Sequence, residues 1–445
     1  MERLSPVSAA LLQLESRAGQ MHVGFLARVD AGAGGAPLDV GALRARVAER
    51  LERAPRLRQV VAPAGERDGR LVWREQERFE LDRHVAVREA PVGGEEELRA
   101  VVDRFLAREL ERDRPLWRVL VVPRTRAGGA AIVAAAHRAL CADDDLLHEL
   151  LFDGEADAPA RGAGGASARD DALALDEFRA ARRHGAFAGA ASGRVGATLR
   201  RAAYAGGERL LAPAPPSYLN AAAGPAPRTL VTARLELGRL RRIAERAGAE
   251  PHDVVLAVAA GALRRVALAA GQEPADLRAL VPVAPGARTL LGEEPCAVVE
   301  LPVAERSPAR RLRAIHAAMA CARGPRRGAH RAERPPTLLA GPPEELPTRL
   351  AIGARLANLT IPSADGPRRP LRVGGAQVRA LFPVAPHHDE HALTLSTLSY
   401  GRHLHVAATV DAAAIGGAGR LPVMLADAVE ELLLATGAHA SSGLS

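Results

Sequence analysis

Residues 130–151 read AAIVAAAHRALCADDDLLHELL. An uncharged run of Ala, Ile and Val leads up to His137, the composition of a strand buried on both faces. Three consecutive acids, Asp143, Asp144 and Asp145, then precede a leucine-rich stretch, as they do where a helix opens with negative charge in its first turn. A strand that delivers a histidine into a polar turn ahead of a helix points to mixed α and β structure. It also singles out His137, because imidazole is the side chain whose ordinary titration lies near neutrality.

Working outward, the same alternation continues. Residues 21–29, 71–73 and 116–122 have strand character, whereas 40–51 and 95–110 repeat apolar residues every three or four positions, as a helix does. From 154 to 170 the chain turns to Gly, Ala, Pro and Ser, the composition of a connection. Beyond it Arg179, Arg182, Arg183, Arg194, Arg200, Arg201 and Arg209 face the single acid Glu208. This stretch is either a basic helix for an anionic surface or a solvated crossover. Ordered pattern returns with strand 229–237 and helices 237–247 and 253–269. Strand-like runs follow at 280–283, 297–303, 373–382, 392–398 and 404–410, with a closing helix at 421–434. Residues 321–336 read as a loop. The expected organisation is a first domain over 1–153, a linker and basic crossover over 154–226, and a second domain over 227–445.

Composition narrows the function. At 445 residues, with 48% hydrophobic and 25% charged side chains, the chain is long enough for more than one packed domain. Aromatics at 3% leave little with which to stack bases, and the arginines are spread among acids, so nucleic acid is not the expected partner. All 60 basic residues are arginine and the formal charge is +8, which suits phosphate, acyl-CoA or anionic lipid. Cys141, Cys296 and Cys321 are odd in number and far apart, as free thiols of a reducing, cytoplasmic compartment are. No run of about 18 uncharged apolar residues is present to span a membrane, and the N-terminus lacks the pattern of a secretory signal.

The order of several short segments resembles a known family. They are Leu4-Ser5-Pro6, Leu11-Leu12 with Glu15-Ser16, Met21-His22-Val23-Gly24, Leu81-Asp82-Arg83-His84-Val85 and Arg114-Pro115-Leu116-Trp117. In the second half they are Asp253-Val254-Val255-Leu256-Ala257, Val281-Pro282-Val283, Asn358-Leu359-Thr360, Pro383-Val384 and Leu398-Ser399-Tyr400. Together they resemble the bacterial wax ester synthase/diacylglycerol acyltransferase family, within the CoA-dependent acyltransferases that include chloramphenicol acetyltransferase and condensation domains. The resemblance implies an α/β (α+β) fold of two chloramphenicol-acetyltransferase-like domains, mixed sheets flanked by helices, with an active-site tunnel between them. It further implies acyl transfer from acyl-CoA, a substrate and not a cofactor, to a long-chain alcohol or diacylglycerol, with peripheral contact at a membrane or lipid droplet.

The family's active-site pattern, HHxxxDG, is altered here. His137 takes the first His position and Arg138 the second; without a gap Ala142 falls in the Asp place and Asp143 in the Gly place, and with one inserted residue Asp143 and Asp144 fall there instead. The second His is the base that the resemblance implies, and a guanidinium has no lone pair to accept a proton. The catalytic candidates are therefore His137 as base and Asp143 as its orienting carboxylate, with Arg138 and Asp144 as substrate-binding residues. Arg138 either holds a carboxylate, a CoA phosphate or an oxyanion, or pairs with Asp143, Asp144 or Asp145. An inactive or repurposed relative, binding acyl chains or a partner, is the competing expectation. Two further family positions differ: His252-Asp253 stands where Asn-Asp is usual, and Pro362-Ser363 where Ser/Thr-Asn is. His387-His388-Asp389-Glu390-His391 is too compact a cluster to converge on one metal ion, and no metal is expected.

If the basic crossover anchors the chain, changing its seven arginines to Gln weakens sedimentation with anionic vesicles; unchanged sedimentation removes that segment as the anchor.

Overall fold

The computed structural model describes residues 2–5, 8–9, 11–12, 15, 20–32, 35–65, 71–88, 93–126, 128–141, 145–153, 213–220, 228–283, 296–323, 355–367, 369–387 and 391–438. The first half supplies strands β1 (Glu2–Arg3), β2 (His22–Val29), β3 (Gln59–Pro63), β4 (Leu71–Glu75), β5 (Val85–Val87), β6 (Trp117–Val122) and β7 (Ala130–His137). Its helices are α1 (Val40–Leu51), α2 (Glu95–Leu106) and α3 (Asp145–Leu151). The second half supplies β8 (Thr229–Glu236), β9 (Leu277–Pro282), β10 (Cys296–Leu301), β11 (Leu359–Thr360), β12 (Ser363–Asp365), β13 (Arg372–Val373), β14 (Ala376–Val384), β15 (Leu393–Tyr400) and β16 (His403–Val410). With these come helices α4 (Leu237–Ala247), α5 (Pro251–Ala269), α6 (Pro308–Arg323) and α7 (Leu421–Thr436).

Among the described residues the strands form a small sheet, β1-β4-β3, and two large mixed ones. The first large sheet runs β13-β14-β2-β7-β6-β5 and the second β10-β9-β11-β15-β16-β8, with β12 paired to β15. The halves are thus not closed units: β14, from the second half of the chain, pairs antiparallel with β2 of the first, setting Leu381 opposite Ala27 and Phe382 opposite Leu26. The strand expected at 373–382 pairs into the first large sheet; a composition shift marks a connection and says nothing about where a later strand returns.

The expected runs become elements because their apolar residues have somewhere to go. Strand β7 is buried at every position, with one face on a cluster holding Ile132, Ala134 and Ala136 and the other on a cluster holding Val133 and Ala135. Helix α2 buries Leu98, Val101, Val102 and Phe105 on that second face. Three acids in its first turn complement its N-terminal dipole. Asp103 of α2 accepts the Leu230 N–H of β8 at 2.8 Å, joining the two halves, and burial raises its carboxyl to about 6. In the second half α5 is buried along most of its length and forms the centre of a separate apolar cluster.

One pair of family-like segments meets in space, and a third segment ties the second sheet together. The His84 ring stacks on Trp117 with centroids 4.6 Å apart, and its Nδ1 lies 2.8 Å from the Trp117 carbonyl. Trp117 is 1% exposed, and its Nε1–H donates to the Leu57 carbonyl at 2.7 Å. Asn358 accepts the Arg278 N–H through Oδ1 at 2.7 Å and donates through Nδ2 to the Pro215 carbonyl at 2.7 Å, tying segment 213–220 to the second sheet.

Helix α6 was not anticipated: Arg310, Arg311 and Arg313 break its apolar stripe, and Arg311 is nonetheless buried, 3.7 Å from Glu431. The loop expected at 321–336 begins as the end of α6, and its remainder lies outside the described residues, as does the arginine-rich stretch at 178–211. No described helix is long and apolar enough to cross a membrane. Cys141, Cys296 and Cys321 are free thiols.

At Gly24 a Cβ would fall 2.0 Å from the Ala134 carbonyl oxygen, so β2 and β7 approach only because this position has no side chain. Gly24→Ala is expected to cost about 1–3 kcal/mol or more in thermal unfolding. An unchanged Tm contradicts that close approach.

Candidate active site

Strand pairing decides what His137 meets. The β2–β7 register sets His22 opposite His137, so the two side chains emerge on one face at the strand ends. His137 is fully buried and His22 nearly so. The surrounding apolar cluster takes in Ala139, Leu140 and Cys141 of the first half with Leu280, Cys296, Val298 and Leu398 of the second. The residues flanking His137 thus belong to an apolar core to which both halves contribute.

A carboxylate closes this face. Leu11 and Leu12 are buried anchors, and Arg112 donates to the Leu12 carbonyl at 2.8 Å, which fixes the helical turn ahead of Glu15. Glu15 then places Oε2 3.5 Å from His137 Nε2 and Oε1 3.7 Å from His22 Nε2, with Arg112 3.3 Å from Oε2. Burial opposes ionisation of Glu15, but His137, His22 and Arg112 together hold its carboxyl below the usual range. Glu15 Oε1, His22 Nε2 and His137 Nε2 are all buried without a hydrogen-bond partner.

The hydrogen bonds assign the ring protons. His137 Nδ1 accepts the Ala139 N–H at 2.9 Å, so in the neutral ring the proton is on Nε2, facing Glu15. The expectation that His137 takes a hydroxyl proton meets this obstacle: neither nitrogen offers a free lone pair in this arrangement. His22 is the reverse. The Leu106 backbone lies against the ring as an acceptor and Nε2 has no hydrogen-bond partner, so we assign the proton to Nδ1 and the lone pair to Nε2. Burial, with Arg118 nearby, lowers the His22 pKa to about 3 and keeps the ring neutral.

The other sequence candidates divide. Arg138 is buried, and its backbone N–H donates to the Met21 carbonyl at 2.8 Å, continuing the strand pairing past His137. Asp143 and Asp144 lie outside the described residues. Cys141 is a buried thiol whose Sγ lies 3.9 Å from the His137 carbonyl. Asp253, fully buried, reciprocates a capping box with Glu250 at the start of α5 and receives His316 Nδ1 at 2.7 Å and Arg323. His387 and His391 are held by Thr394, Thr360 and the carbonyls of His391 and Ala357. Residues 388–390 are outside the described set, and among the described residues no group of His, Cys, Asp and Glu is arranged to hold a metal. Sequence reasoning missed Glu15 and His22 as site residues. The available signal was the pairing of two predicted strands that both have a histidine at one end.

The His22 assignment has a pH consequence. Its folded pKa, about 3, lies below the ordinary 6.5, so as pH falls from 6.5 the unfolded chain binds a proton that the folded chain refuses. Stability then drops by about 1.4 kcal/mol per pH unit for this group. His252 and His405, lowered to about 4 by burial, act with the same sign. His22→Gln is expected to flatten the fall of stability between pH 6 and pH 4 by about one proton; an unchanged slope contradicts the neutral His22.

Comparison with known proteins agrees along the whole chain. The pattern of the wax ester synthase/diacylglycerol acyltransferase catalytic domain matches residues 4–255, and that of the WS/DGAT C-terminal domain matches residues 296–433. A relative named "Probable diacyglycerol O-acyltransferase tgs1", of Mycobacterium tuberculosis, is 29% identical over 463 residues, covering 97% of this chain and 96% of the relative. In fold, the chain is similar to the wax ester synthase/diacylglycerol acyltransferase of Marinobacter aquaeolei VT8, with TM-score 0.70 and 23% identity over 98% of this chain and 100% of that one. It is similar also to the first condensation domain of the calcium-dependent antibiotic synthetase, with TM-score 0.54 and 19% identity over 98% and 96%. With its strand end, its paired sheets and its matched segments in one order, the chain belongs to the wax ester synthase/diacylglycerol acyltransferase family.

Proposed function

We propose that the chain transfers the acyl group of an acyl-CoA to the hydroxyl of a lipid alcohol, a diacylglycerol or a long-chain alcohol, forming triacylglycerol or wax ester. The observation that carries this reading is the family match over both halves, with His137 standing at the first position of the HHxxxDG pattern beside the apolar core to which both halves contribute. Relatives bearing diacylglycerol O-acyltransferase names support the acceptor class. Such acceptors dissolve in lipid, so the reading includes peripheral contact with a membrane or lipid-droplet surface.

The chemistry asks for a proton acceptor at the hydroxyl and for donors to the oxyanion of the tetrahedral intermediate. His137, backed by Glu15, presents an Nε2–H donor within a buried site, where such a donor acts with little competition from water. Arg138, always charged, is proposed to stabilise an anionic part of the substrate, and Asp143 and Asp144 to help orient this end of the site. Acyl-CoA enters as a substrate that is consumed.

Thiol release from palmitoyl-CoA with hexadecanol or dipalmitoylglycerol tests the reading. Acceptor-dependent turnover is expected, falling by about 10²–10⁴-fold in His137→Ala, the range for loss of a group acting on the transferred proton or charge. A parent that releases no thiol, with turnover appearing in Arg138→His, contradicts it and identifies a silenced acyltransferase.

A further inference from the structure

Three polar atoms of the site converge without satisfying one another. Buried groups of this kind are normally hydrogen-bonded, and each exception calls for an account. Here the distances are 3.5 Å from Glu15 to His137 and 3.7 Å from Glu15 to His22, longer than good hydrogen bonds. The Glu15–His137 side of the gap is at least complementary, a carboxylate facing an N–H. The Glu15–His22 side is not, because the His22 lone pair faces a carboxylate oxygen and two acceptors have nothing to share. The two rings are satisfied by a group that brings its own proton and can also accept one hydrogen bond. A hydroxyl does this: it donates to His22 Nε2 while its oxygen accepts from His137 Nε2–H.

We infer that His22 takes the place of the missing second histidine: its Nε2 receives the proton of the acceptor hydroxyl, which lies in the gap between His22, His137 and Glu15. This rests on the acyl-transfer reading and assigns the proton acceptor within it. As the hydroxyl oxygen bonds to the thioester carbonyl carbon, the O–H pair stays on oxygen and the proton passes to His22 Nε2. The carbonyl π pair moves onto its oxygen. When the intermediate collapses, the oxyanion pair re-forms the C=O bond of the ester, the C–S bond breaks, and the sulfur leaves with the C–S bonding pair, taking the proton from His22 to become the CoA thiol. In between, the His22 imidazolium stands against the Glu15 carboxylate, so the charge created by the step has its counter-ion in place. His137 keeps Nδ1 on the Ala139 N–H throughout and orients the hydroxyl as a donor. Burial favours the same assignment, since it keeps the His22 ring neutral and its lone pair available.

The test uses the full-length chain with palmitoyl-CoA and two acceptors of equal length, hexadecanol and hexadecanethiol. A thiol is far more acidic than an alcohol and needs less help to lose its proton. His22→Gln is expected to lower kcat with hexadecanol by about 10²–10⁴-fold while leaving the KM for palmitoyl-CoA unchanged. The loss with hexadecanethiol should be much smaller, and imidazole should restore part of the activity of His22→Ala. A loss below about tenfold, or an equal loss with both acceptors, overturns the assignment. A second measurement needs neither variant nor turnover: hexadecanol added to the parent should shift the His22 Nε2 resonance in nitrogen NMR, and an unshifted resonance overturns it. If the parent shows that shift but releases no thiol, the acyl-transfer reading fails while the hydroxyl site stands.

Discussion

One carboxylate between two imidazoles organises this site. Glu15 is half-buried with its Oε1 closed off from solvent, and its charge is held there by His137, His22 and Arg112 acting against the cost of desolvation. That cost is why the neighbours are so constrained. An ionised carboxylate away from water has to be surrounded by donors and counter-charges, and it therefore dictates which face β2 and β7 turn toward the N-terminal segment. The β2–β7 register, the absence of a side chain at Gly24 and the anchoring of Leu11 and Leu12 all serve to bring three groups from distant parts of the sequence to one point.

The same constraint explains how the site accommodates Arg138. A guanidinium cannot accept a proton, so its presence at the second histidine position removes a base without removing the need for one. Proton acceptance depends on a lone pair that is not already committed, and hydrogen bonding decides that question ring by ring. His137, the residue placed best by motif, accepts the Ala139 N–H at Nδ1 and so holds its proton on Nε2, with no lone pair left to offer. His22, carried on the neighbouring strand, is assigned a lone pair on Nε2.

Much of the fold was legible in sequence. The uncharged run ending at His137, the helix at 40–51 and the strands at 229–237 and 404–410 form close to where composition and spacing put them, because each has an apolar face to bury. Helix α6 was not, since its arginines mask the stripe that Leu312, Ile315 and Met319 bury. The return of β14 to the first sheet was also invisible, since strand partners are set by long-range packing and leave no local mark. In the site, His137 and Arg138 stood out as departures from a motif. Glu15 and His22 lay within family-like segments, but nothing in either segment says that one faces the other. Only the strand register and the turn anchored by Arg112 supply that.

The most direct test of the account is the protonation of the two rings in the free protein, read from nitrogen NMR of the imidazoles across pH 5 to 8. The account predicts His137 protonated on Nε2 and His22 protonated on Nδ1, with His22 neutral throughout. A His137 carrying its proton on Nδ1 with a free Nε2, or a His22 that titrates in this range, would contradict it.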